Sequence, residues 1–387
     1  MTTTRARETT AAAGGRPATG TAVADLRREV RDLTAQWRVQ GRYTPRSDNW
    51  MRGFAPDFSR ELARRGLLGL AWPTEYGAGL GQVARLAVTE ELLRAGAPVA
   101  AHWIGERQIG PAVLRYGSPE LRAEILPPIA RAEAVFCLGM SEPDAGSDLA
   151  AVRTTAEAVP GGWRVNGRKT WTTGAHHATH IYLLARTART ERRHQGLTEF
   201  VVDMDTAGIE VTPIVDLAGE HHFNEITFTD VHVPAHRLLG TVGEGWRQVV
   251  EQLAFERGGP ERVLSTYPLL AGCVEALAGD PPHARDLRVD LGRLTARLAT
   301  LRRLALRVAR QVDEGRAPTV EAATLKYLGN AFENDVVDFA RRVCRRIPDP
   351  ALRAAFDQAL LASPGFTIRG GAADVLLSLI AKQETRT

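Results

Sequence analysis

The stretch over residues 136–173, FCLGMSEPDAGSDLAAVRTTAEAVPGGWRVNGRKTWTT, constrains this chain more than any other. An apolar run breaks at Met140 into a loop of small polar residues, Ser141-Glu142-Pro143-Asp144-Ala145-Gly146-Ser147-Asp148. Some twenty residues on, Asn166-Gly167 sits between alternating residues, a strong signal for a hairpin followed by a strand. Trp163, Val165, Thr170 and Thr172 are residue types that suit the strands on either side.

The flanks of this stretch read differently. Residues 1–20 are Thr, Ala, Gly and Arg without apolar period; they bury too little surface to offset chain entropy and are expected to be a disordered tail. Apolar residues then recur at helical spacing over 23–40, with Leu26, Val30, Leu33 and Trp37 on one face, and again over 58–67, 83–93, 105–116 and 119–132. Ser118 and Pro119 supply a cap and a first helical residue. From 134 to about 233 the period falls to two, in short β-rich runs around Ile181, Glu199 and Glu225, which predicts a small antiparallel β-domain. Helical spacing returns after Gly245, over 246–255, 287–312, 320–343 and 371–382.

A chain of 387 residues is long for one core. The expected fold is α+β and mainly α: an N-terminal helical domain over 21–133, a middle antiparallel β-domain over 134–241, and a C-terminal four-helix-bundle domain over 242–387.

Composition narrows the function classes. Hydrophobic content of 44% and charged content of 24% are those of a soluble globular protein. No apolar run reaches the roughly 20 residues of a spanning helix, and the N-terminus lacks the apolar core of a signal peptide. Cys137, Cys273 and Cys344 show no metal spacing and read as reduced thiols of a cytoplasmic protein. The net charge is +4, carried almost wholly by arginine, but acidic residues are interleaved throughout and no basic block has aromatic partners, which argues against nucleic acid. No Rossmann or P-loop glycine pattern occurs.

Together, the two segments of the 136–173 stretch resemble the acyl-CoA dehydrogenase family, whose members carry T/S-E-P-x-A-G-S-D and, about twenty residues later, G-x-K-x-W-I-T. Here Thr172 stands where isoleucine is usual. Trp72-Pro73-Thr74-Glu75-Tyr76-Gly77 is similar to the family's W-P-E-x-Y-G-G loop, and Val231-His232-Val233-Pro234 to its V-x-V-P exit. The resemblance spans about residues 25–381. It implies FAD, an acyl-CoA or acyl carrier protein thioester as substrate, an electron-transfer flavoprotein as partner, and a homotetramer. By position in the motifs, Leu138, Met140 and Ser141 would line the flavin, Trp171 would pack on its ring, the Thr173 hydroxyl would point at N5, and Ser147 would lie toward the acyl-CoA.

The catalytic base is the harder question. In one branch of the family a glutamate sits near the C-terminus, but the matching position here is Gly370. In another branch the base lies on the first helix after the β-domain, just before an arginine; that place holds Glu256 and Arg257, so Glu256 is the nominated base and Arg257 a substrate-positioning residue. Glu261 is the reserve, and the absence of a competent base is the remaining alternative.

The arginine and glycine-rich segments that the family uses around the flavin diphosphate have no match at Gly279–Arg285 or Arg345–Pro350. This opens two competing readings: a half-site or non-catalytic subunit in a heterotetramer with a second chain of the family, or an enzyme of the same fold doing oxidase or monooxygenase chemistry. His176, His177, His180, His221 and His222 invite a metal reading; with no matching carboxylate or cysteine fixed beside them, surface or core-edge histidines are expected instead.

Overall fold

A computed structural model describes residues 19–279 and 284–384, with backbone alone at 253–256 and 383–384. The expected tail lies outside the described residues except at its end. There Thr19 accepts a hydrogen bond from the Ala22 amide (3.3 Å) and opens α1 (Gly20–Val39).

The N-terminal region is helical: α1, α2 (Asn49–Arg52), α3 (Pro56–Arg64), α4 (Gly81–Arg94), α5 (Ala100–Ile104), α6 (Gly110–Tyr116) and α7 (Pro119–Ala130). The predicted stripe of Val30, Leu33 and Trp37 is the buried face of α1. Between α5 and α6 the helix does not stop; it passes through one π-turn, Gly105–Ile109. A Cβ on Gly110 would come within 2.0 Å of the Trp72 ring, so a glycine is needed for the indole to lie flush on this helix. That contact anchors the Trp72-Pro73 loop.

The middle region is a sheet of β1 (Phe136–Gly139), β2 (Thr155–Val159), β3 (Gly162–Thr173), β4 (His180–Arg186), β5 (Leu197–Asp203), β6 (Ile209–Val215), β7 (His221–Pro234) and β8 (Leu238–Leu239). The order is β6-β7-β3-β2-β4-β5-β8. The sheet is not wholly antiparallel as expected: β1 runs parallel to β4, pairing Phe136 with His180 through Gly139 with Leu183.

A second correction concerns Asn166-Gly167. The hairpin turn is at Pro160-Gly161, where Gly161 has φ +83°, and Asn166-Gly167 is a β-bulge inside β3. The reason is position: β3 pairs with both β2 and β7, so it runs on instead of turning. The Asn166 side chain bonds Asp230 twice (2.8 and 3.0 Å), and Gly167 at φ +151° leaves no space for a Cβ, which would fall 2.6 Å from Thr154 Cα.

The C-terminal region is helical: α8 (Gly245–Glu256), α9 (Glu261–Leu264), α10 (Tyr267–Ala278), α11 (Arg285–Asp313), α12 (Thr319–Arg346), α13 (Pro350–Ala362) and α14 (Ala373–Glu384). The expected four helices correspond to α8, α11, α12 and α14; α10 and α13 join them. The Arg345–Pro350 segment is the junction of α12 and α13, where Asp349 caps α13 by accepting from the Ala351 and Leu352 amides. One continuous apolar core runs through α1, α3, α4, α10, α11, α12 and α13, so the two helical regions are packed as one body.

Candidate active site

The loop after β1 and the strand β3 are locked together by one buried ion pair. Lys169 is wholly buried, and its Nζ lies 2.8 Å from Glu142 Oε1 and 3.0 Å from the Met140 carbonyl. Glu142 also accepts the amides of Arg153 (2.6 Å) and Thr154 (2.9 Å). The Thr170 amide then bonds the Ser141 carbonyl (2.9 Å). Burial draws the Lys169 pKa down to about 8, against the pull of Glu142. For Glu142, burial pushes up, but Lys169 and the two amides together hold it below its usual value. At neutral pH the pair is charged. Both residues stood inside the paired motifs without an assigned role; a lysine in the middle of a strand was the available sign.

Past Lys169 the register of β3 against β7 shifts a second time. Trp171 sits in this bulge with φ +57°, a backbone region that costs a bulky residue about 1–3 kcal/mol. Its side chain is 59% exposed and meets Phe223 edge-on at 5.7 Å. Thr172 returns to the core, and Asn224 donates to its carbonyl (3.0 Å). The strand therefore breaks its alternation to hold the indole out of the core.

It is held out over a cavity of ≈ 2160 Å³ between the sheet and the helical regions. Leu138, Met140, Ser141, Ser147, Trp171 and Thr173 line it from the β-domain, and Val249, Gln252 and Arg257 from α8 and its end. Ligand pockets commonly measure ~300–1,000 Å³, so two large molecules fit side by side. All the sequence-nominated flavin and substrate residues, Arg257 included, come to this one wall system.

Glu256 is the last residue of α8; its side chain lies outside the described residues. Its neighbour Arg257 is buried and donates from Nε to the Gly370 carbonyl (3.2 Å). The two places where the family's branches keep their base are thus adjacent in space. Gly370 and Gly371 take φ +68° and +114°, and Lys326, buried on α12, donates to the Gly371 carbonyl (2.9 Å). The reserve candidate Glu261 is buried 2.8 Å from Arg107 and is not part of the cavity wall. A Cβ on Gly259 would fall 2.0 Å from its carboxylate and 2.3 Å from Arg107, so the glycine after α8 makes room for that pair.

Behind α8 lies a group that the sequence reading missed. Glu199, on β5, is buried; it accepts from Gln248 Nε2 (2.6 Å) and Gln252 Nε2 (3.1 Å), and Tyr182 bonds into the same cluster. Burial raises its pKa to about 7, although these hydrogen bonds oppose it. Gln252 lies one helical turn before Glu256, so this cluster sets the rotation of α8 about its axis. A carboxylate directly before the apolar run Phe200-Val201-Val202 was the hint available.

The histidines divide. His176 stacks on His221 with centroids 3.9 Å apart, His177 stacks on Phe54 at 4.0 Å, and Asn224 Oδ1 bridges His176 and His221. His180 pairs with Asp203 (3.1 Å), and His222 is buried, with burial and then Arg52 drawing it down to about 4. Among the described residues no group of three His, Cys, Asp or Glu is arranged to hold a metal ion.

Helices, a strand-bulged sheet, helices again, and a deep cavity where they meet define a three-domain acyl-CoA dehydrogenase architecture. The family models for the acyl-CoA dehydrogenase N-terminal, middle and C-terminal domains match residues 24–133, 137–231 and 243–385. The chain belongs to the acyl-CoA dehydrogenase family.

Among its relatives, acyl-CoA dehydrogenase IpdE1 of Mycobacterium tuberculosis is 41% identical over 242 residues, 62% of this chain and 59% of that protein. Acyl-CoA dehydrogenase FadE34 of the same organism is 33% identical over 83% of this chain and 45% of its own length. The matched stretch thus spans under two thirds of these relatives. Among solved structures, the ChsE4–ChsE5 complex of M. tuberculosis superposes with a TM-score of 0.80 at 26% identity, over 96% of this chain and 99% of that one. The Tcur3481–Tcur3483 steroid acyl-CoA dehydrogenase gives 0.80 at 25% identity, over 96% and 98%.

Proposed function

We propose that this protein is a flavin-dependent dehydrogenase that forms the α,β double bond of an acyl thioester, of CoA or of an acyl carrier protein, and passes the electrons to an electron-transfer flavoprotein. The observation that carries the reading is Trp171: a bulge and an unfavourable φ hold a large apolar ring exposed over the cavity, facing space that an aromatic ligand fits. FAD, when bound, supplies the acceptor for the β-hydrogen. The residues of this chain do the rest. Leu138, Met140 and Trp171 offer apolar surface to the ring, and the Ser141 and Thr173 hydroxyls offer donors to its polar edge. Glu256 removes the α-proton. Arg257, steadied by the Gly370 carbonyl, positions the thioester, and Ser147 lies at the CoA side. The domain junctions fall at 133/134 and 241/242, and the protein works in the cytoplasm.

A second reading shares the fold: one half of a heterotetramer whose partner chain completes the flavin diphosphate site. Gly370 in place of a carboxylate supports it, as does the resemblance to complexes of two unlike chains. Purification separates the two. A yellow protein that bleaches with acyl thioesters supports the first; a colourless one that takes up flavin only when co-expressed with a second family chain supports the other. Glu256→Gln is expected to lower turnover by a thousandfold or more, on the order of what a lost base costs, with the flavin band unchanged. Wild-type turnover in that variant would remove Glu256 from the role.

A further inference from the structure

The cavity follows α8, from Val249 and Gln252 to Arg257, about 12 Å at the helical rise. Beyond Arg257 its wall changes character. Arg107 from the π-turn, Arg262 from α9 and Arg369 from the segment before α14 line it together with Trp50 and Trp103. They form one stacked assembly. Arg107 lies 4.4 Å over the Trp103 ring, the two indoles are 5.3 Å apart, and Arg262 and Arg369 lie 5.5 and 4.8 Å over Trp50.

Each guanidinium carbon lies over an indole face, which restricts the side chain to this wall. Glu261 and Thr89 take two of the five donors of Arg107, Asp48, Met51 and Ser265 accept from the two terminal nitrogens of Arg369, and Glu261 also lies 3.9 Å from Arg262. Arginines and acids are packed together here: Glu261 faces Arg107 and Arg262, and Asp48 faces Arg369. Arg85, packed near Arg107, has its pKa drawn down to about 10, first by burial and then by Arg107. A bare alkyl tail laid against this wall would strip water from guanidinium donors and give them nothing in return.

We propose that this end of the cavity is a subsite for an acyl chain whose far end carries hydrogen-bond-accepting oxygen, a carbonyl or a carboxylate, held by Arg107, Arg262 and Arg369. The inference rests on the acyl-thioester reading above and names the kind of acyl group. The distal oxygen accepts from the guanidinium edges while the indoles of Trp50 and Trp103 cover the chain.

The test uses the flavin-loaded wild-type protein and CoA thioesters of seven and ten carbons ending in methyl, methyl ketone or carboxylate. Calorimetric affinity and kcat/KM are measured for each. The ketone or the carboxylate is expected to exceed the methyl chain of equal length by about tenfold or more, and which of them wins distinguishes carbonyl from anion. Arg262→Met should erase that preference and leave the methyl chains within about twofold. The pair change Arg107→Met with Glu261→Gln, which removes both members of that ion pair, should do the same. Methyl chains that bind best in the wild type, or a preference that survives both variants, overturn the subsite while the dehydrogenase reading stands. Binding of none of the thioesters overturns both.

Discussion

Lys169 shows how one residue can serve a site that it does not touch. Its ammonium ties the Met140–Glu142 loop to the strand that presents Trp171 and Thr173, so cavity-facing groups on two segments keep a fixed spacing. Lys169→Met leaves Glu142 buried without its cation, and such a loss costs roughly 3–5 kcal/mol. The variant is expected to melt well below wild type and to retain flavin poorly. The pH dependence has a defined sign. Glu142 is held below its usual 4.5, so its contribution is present above that value and drains away as pH falls through its folded pKa. The gap in melting temperature between wild type and Glu142→Gln should therefore be wide at pH 7 and close in acid. A gap that does not narrow would assign the loss to packing alone. At this scale the sequence was legible where a residue type has one use: Ser141, Trp171 and Thr173 all reached the cavity wall. It was illegible where context decides: Asn166-Gly167 reads as a turn, but pairing on both edges of β3 made it a bulge.

Among the elements, α8 bears most on the proposed chemistry, since it carries the proposed base Glu256 and is oriented by Glu199 through Gln248 and Gln252. The Glu199 pKa, raised from 4.5 to about 7, means that the folded state favours the neutral acid. Its stabilising share is complete below 4.5 and is lost as pH rises through 7. At about 1.4 kcal/mol per unit, the whole effect is on the order of 3 kcal/mol. Chemical denaturation of the wild type between pH 5 and 8 should show stability falling across that range, and Glu199→Gln should flatten the slope. An equal slope in both proteins would sink the assignment. Element types were readable from periodicity, because long amphipathic stripes such as that of α1 admit one answer. Helices α10 and α13 were passed over. The first follows a glycine- and proline-rich stretch, and the second starts at Pro350, in the place where the family resemblance implies a glycine-rich turn. The π-turn has no periodic signature, since one extra residue is lost in the noise of any helical pattern.

Across the whole molecule, charge links what the cores leave apart. Arg52 of α2 lies 2.7 Å from Asp216 and 2.6 Å from Glu220, both on the β6–β7 connection, and 3.7 Å from Asp48. Asp48 in turn holds Arg369, 2.6 Å away. All three regions are thus joined along one wall of the cavity, four of the five linking groups lining it. Arg52→Ala leaves Asp216 facing a protein wall unpaired and should cost roughly 3 kcal/mol. Limited proteolysis is expected to cut the β6–β7 connection faster in the variant; equal rates would mean that the domains are held without this chain of charges. None of it was readable in advance, for ion pairs between residues 52, 216 and 369 depend on a docking geometry that no local pattern encodes.

Gly370 and Gly371 bear on how this chain could change. Both backbones lie in a region that an amino acid with a side chain enters only under strain, and Arg257 and Lys326 grip their carbonyls in that shape. A glutamate written at position 370 would carry backbone strain of about 1–3 kcal/mol, as Trp171 already does at φ +57°. The proposed base on α8 and a carboxylate in the C-terminal segment are thus separated by a modest conformational cost, in a turn that Arg257 would have to release.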